Sequence, residues 1–169
     1  MRSLVTYSSR TGNTRKVAEA IFEILPDPKE IHPVAEAPPP DDFDFIAVGF
    51  WVNRGTADVE AQSYMARIKN RRVGVFGTLA AYPDSDHAKM CLERVAALLD
   101  GNEFMGGFLC QGRVDPSALE QVEHLAPETH PMTAERRNRL EEAKKHPNPK
   151  DLLNAQLAFK AMINRMTDT

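Results

Sequence analysis

Leu4-Val5-Thr6-Tyr7-Ser8-Ser9-Arg10-Thr11-Gly12-Asn13-Thr14 is the stretch whose reading decides the fold. Leu4, Val5 and Tyr7 belong to an apolar segment too short for a helix and read as a buried strand. From Thr14 onward the apolar residues Val17, Ala18, Ile21 and Leu25 recur at helical spacing. The order is strand, tight turn, helix. Between the two elements, Thr11 to Thr14 supplies hydroxyls, a glycine free to take an unusual φ, and N–H groups that have no partner inside the helix. Such groups converge on an anion, with the helix dipole behind them.

The same loop lacks the glycine spacing and the lysine of a nucleotide-triphosphate loop. Gly12 also stands alone, unlike the repeated glycines of a dinucleotide fingerprint. A monophosphate held by neutral donors fits better than a pyrophosphate. The alternative reading is that Thr11 and Thr14 only cap a helix.

Outward from the loop, Lys29 to Val34 reads as an edge strand, exposed in pattern and followed by Pro38-Pro39-Pro40. Phe45 to Gly49 and Val73 to Gly77 are almost continuously apolar, as central parallel strands are. A helix face of Ala61, Tyr64, Met65 and Ile68 lies between them, closed by the basic cluster Lys69 to Arg72. Ser85 to Leu99 is a helix stopped by Asp100-Gly101, and Phe104 to Cys110 is a fifth strand bent or closely packed at Gly106 and Gly107. Strands alternating with helices predict an α/β three-layer sandwich around a five-stranded parallel sheet. Asp115-Pro116 opens a further helix, a loop follows around Pro127 and Pro131, Glu135 to Lys145 is a charged surface helix, and Asp151 to Met166 is a broader apolar one.

A chain of 169 residues builds one good core and is short for two domains. Residues 1–169 therefore read as a single domain, with 113–169 a helical extension packed on it. Hydrophobic residues at 42% and charged residues at 27% describe a globular chain, and a formal net charge of -3 gives no reason to expect nucleic acid as a partner. No apolar run is long enough for a membrane span and no signal-peptide pattern is seen, so a cytoplasmic location without a membrane partner is expected. Cys91 and Cys110 read as buried reduced thiols. His32, His87, His124, His130 and His146 show no metal-ligand spacing, so no metal is expected.

In open parallel sheets, ligands sit beyond the carboxyl ends of the strands where strand order reverses. Three segments should meet there: Ser9 to Thr14, Phe50 to Thr56 and Thr78 to Asp86. The second places Trp51, the only tryptophan, just past a buried strand. The third brings Tyr82 beside small residues, so a flat ring held between an aromatic face and a main-chain wall is a natural occupant. Trp51 and Tyr82 packing loops against each other is the alternative.

Ser9-Arg10-Thr11-Gly12-Asn13-Thr14 resembles the phosphate loop of flavodoxins, and the element order from Ser3 to about Gly112 resembles a short-chain flavodoxin. The blocks Gly49 to Asp58 and Phe76 to Asp86 are similar to a flavodoxin-like subfamily of anaerobic bacteria, some members of which are associated with reduction of tetrapyrroles such as bilirubin. The resemblance implies a flavodoxin-like sandwich with sheet order 2-1-3-4-5 and non-covalently bound FMN. It implies phosphate contacts from Ser9, Thr11, Asn13 and Thr14 with backbone of Arg10 and Gly12. It places Trp51 and Tyr82 beside the ring, next to Phe50, with backbone of Val52, Asn53, Arg54 and Gly55, and of Thr78, Leu79 and Ala80, at the ring's edge. The implied activity is electron supply to a partner reductase; the implied redox partner protein is that reductase or a ferredoxin-like donor that loads the flavin, and no catalytic acid or base is called for. Arg54 keeps open an FMN-dependent oxidoreductase acting on a quinone or tetrapyrrole. A flavodoxin-like binding module without cofactor is the third possibility.

Overall fold

The computed structural model describes the backbone of residues 1–125 and 131–168, and the side chains up to Glu120 and from Pro131 on. Six strands form in chain order: β1 (Ser3–Tyr7), β2 (Lys29–Pro33), β3 (Phe45–Asn53), β4 (Thr56–Ala57), β5 (Arg72–Leu79) and β6 (Glu103–Gln111). Five of them make a parallel sheet in the order β2-β1-β3-β5-β6, while β4 pairs with β3 alone and runs antiparallel to it. Counted without that short hairpin strand, this is the order 2-1-3-4-5 that the resemblance to flavodoxins implied. Leu4 lies opposite Ile46, Ile46 opposite Val73, and Val73 opposite Phe104, so the apolar runs align across the sheet.

Both faces are covered because successive side chains of a strand point to opposite faces. Leu4, Ile46, Val48, Phe50, Val73 and Val75 pack beneath α2 (Val59–Met65) and α3 (Asp86–Leu98). Val5, Phe45, Ala47 and Phe76 face the other way, toward α1 (Asn13–Ile24) and α6 (Pro149–Thr167). Phe159 of α6 is fully buried there, its ring centroid 6.2 Å from Phe45 and 5.9 Å from Phe76. Each such buried side chain contributes about 1.5–3 kcal/mol. Among the described residues, α4 (Pro116–Leu125) and α5 (Ala134–Ala143) complete the set of α-helices. The loop expected around Pro127 lies outside the described residues.

Three segments differ from the sequence expectation. α2 ends at Met65, and Ile68 is buried in a following turn in which its N–H donates to the Met65 carbonyl. Asn102 then accepts from the Arg71 N–H and donates to the Ile68 carbonyl, so the basic cluster lies in a connection and Arg72 opens β5 rather than closing a helix. β3 runs on to Asn53 where a loop was expected after Gly49, because Trp51, Val52 and Asn53 are half-buried and find partners in β5 and β4. α6 begins at Pro149, since the Asn148 side chain and Asp151 form a reciprocal capping box at its start.

Candidate functional site

Strand order reverses between β1 and β3: the chain leaves β1 for β2 on one side and returns as β3 on the other. That reversal is where the fold opens a ligand crevice. The N–H of Ser8 donates to the Gly49 carbonyl at 3.0 Å, holding the loop after β1 against β3. Gly12 adopts φ +92, a left-handed conformation that side-chain-bearing residues rarely take. The Lys16 N–H donates to the Gly12 carbonyl, which makes the amides of Asn13 and Thr14 first-turn donors with no intrahelical acceptor. The first turn of α1 carries no acidic residue to offset its dipole. The Ser9 hydroxyl gathers the loop by accepting from the N–H of Gly12 at 3.1 Å and of Arg15 at 3.3 Å.

Thr14, expected among the phosphate contacts, has protein partners of its own. It is buried, with its hydroxyl 3.3 Å from the Phe50 carbonyl and 3.0 Å from the Thr78 hydroxyl. That hydroxyl ties α1 to β3 and β5, which leaves the Thr14 backbone N–H as its group at the helix start. Thr78 is its partner and is itself buried, and the Phe50 side chain is fully buried in the core. Asn13 donates through its side-chain amide to the Arg113 carbonyl at 2.8 Å.

The second segment is a hairpin. Val52 pairs with Ala57 and Asn53 with Thr56, leaving Arg54 and Gly55 as a two-residue turn with φ 52 and 79. Arg94 from α3 donates to the Gly55 carbonyl at 3.1 Å and fixes that turn from behind. Below it, the buried Asp58 carboxylate accepts from the N–H of Trp51 at 3.2 Å and of Ala61 at 3.3 Å, joining the strand to the cap of α2. Trp51 stays partly exposed, with the Arg10 guanidinium 5.8 Å above its ring.

Ser9, Arg10, Trp51 and Asn53 thus share one cleft of about 360 Å³, together with Ser8, Asp58, Val59 and Glu60. Thr11 and Asn13 line a neighbouring recess. Tyr82 is exposed in the turn before α3, its carbonyl accepting from Ser85, and no ring contact joins it to Trp51 among the described residues. Leu79 is nearly buried and its carbonyl accepts from the Gly112 N–H. Sequence reasoning missed Ser8, Val59, Glu60 and Arg94. Asp58 ahead of Glu60 was legible as a helix cap, whereas Arg94 sits mid-helix with no local signal. A shallower hollow of about 410 Å³ at the opposite end of the sheet holds Arg72 and Glu103, already paired at 3.0 Å, and lacks any open helix start.

The model of the flavodoxin domain matches residues 4–160. The chain belongs to the flavodoxin domain family. It is similar to the flavodoxin-like domain-containing protein BilS of Clostridioides difficile (strain CD3), 28% identical over an alignment of 171 positions that covers 96% of this chain and 97% of that one. A BilS protein of Clostridium symbiosum (strain WAL-14163) is 26% identical over 74% of this chain and 75% of its own length. Among solved structures, a flavoprotein in complex with FMN from Lactobacillus acidophilus superposes with a TM-score of 0.54 at 17% identity, covering 71% of this chain and 97% of that one. At this identity the likeness is one of fold. In this chain the phosphate-loop candidate and the single tryptophan lie at the carboxyl ends of β1 and β3.

Proposed function

We propose that this flavodoxin-family chain binds FMN without a covalent link and passes electrons to a partner protein. The observation that carries the reading is the start of α1: amides without intrahelical acceptors, no carboxylate in the first turn, and a partly exposed indole in the adjoining cleft. The donor set suits a monophosphate with a flat ring attached. Ser9, Thr11 and Asn13, with backbone of Arg10, Gly12 and Thr14, would hold the phosphate. Trp51 and Tyr82 would border the ring, and the backbone of the Arg54-Gly55 turn and of Thr78 to Ala80 would meet its edge. FMN when bound supplies the redox chemistry, and the protein contributes placement and electrostatics.

The fixed turn matters to that placement. Arg94 on one side and Asp58 on the other hold the hairpin rigid, so the main chain at Arg54 and Gly55 presents a preformed wall. Asp58 adds a buried negative charge to the cleft and Arg10 an exposed positive one, while Arg54 is exposed on the adjoining hairpin turn. The recipient is a partner reductase, and a ferredoxin-like protein is the donor that loads the flavin. The exposed Arg54 guanidinium supports a second reading, an FMN-dependent oxidoreductase acting on a quinone or tetrapyrrole.

Visible absorption of freshly purified protein during stepwise anaerobic reduction tests both. A yellow protein that accepts electrons reversibly, yet does not turn over nicotinamide cofactor with small acceptors, supports the carrier. Rapid oxidation of nicotinamide cofactor by the isolated protein supports the enzyme. Colourless protein that takes up no added FMN refutes both.

A further inference from the structure

The last residue of β6 and the two that follow it reach both the loop after β5 and the loop before α1. Gln111 is only 3% exposed, stands opposite Leu79 in the sheet register, and donates through its side-chain amide to the Ala80 carbonyl at 3.1 Å. The Gly112 N–H donates to the Leu79 carbonyl at 2.9 Å. The Arg113 carbonyl accepts from the Asn13 side-chain amide at 2.8 Å. Three successive residues thus brace two segments that are far apart in the chain, outside the deeper contact between Thr14 and Thr78.

The chemistry of each contact bears on orientation. The Ala80–Ala81 peptide is trans, so a carbonyl held by Gln111 turns the Ala81 N–H the opposite way. Neither the Ala80 nor the Ala81 N–H has a main-chain acceptor among the described residues, and both stand just beyond the carboxyl end of β5. At Gly112 φ is not positive, so the backbone itself does not call for glycine. The space does: a Cβ there would lie 2.7 Å from the Asn13 side-chain nitrogen and 3.1 Å from its Cγ. Asn13 can give way only by leaving the Arg113 carbonyl. Arg113 is pinned in turn, its N–H donating to the His146 carbonyl at 3.1 Å and its guanidinium to the Lys144 carbonyl at 3.3 Å. The junction of α5 with α6 therefore backs the brace.

Resting on the FMN reading, we propose that Gln111, Gly112 and Arg113 are positioning residues, which set the spacing between the loop that holds the phosphate and the main-chain wall that meets the ring. Gln111 acts through Ala80 and Ala81, and Gly112 and Arg113 act through Asn13.

Fluorescence titration of FMN and riboflavin against substituted proteins tests this, with NMR relaxation of backbone amides in the flavin-free proteins as a second readout. Gln111→Met is expected to weaken both flavins by the same factor, at least about threefold, and to lower the order parameters of Ala80 and Ala81 below the rigid value of about 0.85. Gly112→Ala is expected to weaken FMN about tenfold more than riboflavin, because it displaces the phosphate side alone. In Gly112→Ala/Asn13→Ala the loss should equal that of Asn13→Ala, a non-additivity that a merely structural role would not produce. Affinities left unchanged by Gln111→Met or by Gly112→Ala, or additive losses in the double variant, overturn the proposal. Unsubstituted protein that takes up neither flavin refutes the cofactor reading. The brace then rests on relaxation: faster motion at Ala80 and Ala81 in Gln111→Met supports it, and unchanged motion overturns it.

Discussion

Thr14→Val separates a structural hydroxyl from a phosphate ligand. The change keeps the side chain's shape and removes the oxygen that lies 3.3 Å from the Phe50 carbonyl and 3.0 Å from the Thr78 hydroxyl. Both partners are buried, with Thr78 only 4% exposed, so neither regains water. Leaving buried polar groups without a partner costs about 1–3 kcal/mol. In a domain of this size each kcal/mol lowers Tm by about 2–4 °C, so a fall of about 2–12 °C is expected. FMN and riboflavin differ only by the phosphate, so the ratio of their affinities isolates the loop's grip on it. If the hydroxyl works inside the fold, the thermal shift appears and that ratio is unchanged. Calorimetric unfolding and fluorescence titration with both flavins read the two quantities. Unchanged Tm together with a tenfold or greater selective loss of FMN would refute the reasoning.

Thr11→Ala should behave oppositely: Tm holds, while FMN affinity falls by about one to two decades more than riboflavin affinity, measured by the same titrations. Phe159→Ala empties the contact between α6 and the sheet and should cost about 3–5 kcal/mol, read by urea unfolding; a loss below about 1 kcal/mol would show that α6 is no part of the folded unit. His146 is pulled down by burial, but the hydrogen bonds its ring donates to Asp151 and Glu142 outweigh that and raise its pKa. Its contribution is therefore full below the ordinary histidine range and lost as pH rises through the raised value, so His146→Asn should destabilise more at acid pH than above neutrality in paired melts. Burial pushes the Cys110 thiol up to about 12 and raises that of Cys91 as well, so a thiol reagent at neutral pH should label both only after denaturant is added.

Much of the architecture could be read locally. The continuous apolar runs around Ile46 and Val75 marked strands covered on both faces, and the spacing of Val17, Ala18 and Ile21 marked the helix after the loop. The limits came where a partner far along the chain decides an element's end. Lys69 to Arg72 has the composition of a helix terminus, yet Asn102, supplied by the connection before β6, draws the chain out of the helix. Phe50 to Thr56 was visible as a segment beyond a strand, but not as a hairpin pairing Asn53 with Thr56, because a turn shows no register until its flanking strands meet.

The sequence by itself determined the layered α/β fold and the position of a helix start with open amides after the first strand, because both follow from periodicity and backbone rules within short windows, whereas the sheet order was implied by the resemblance to flavodoxins. Tertiary structure alone decided that the Thr14 hydroxyl turns inward to Thr78, that Arg94 fastens the Gly55 turn, and that Arg113 joins Asn13 to His146. Each of those contacts spans tens of residues. Local propensity sets where a side chain starts, and only packing sets what it reaches.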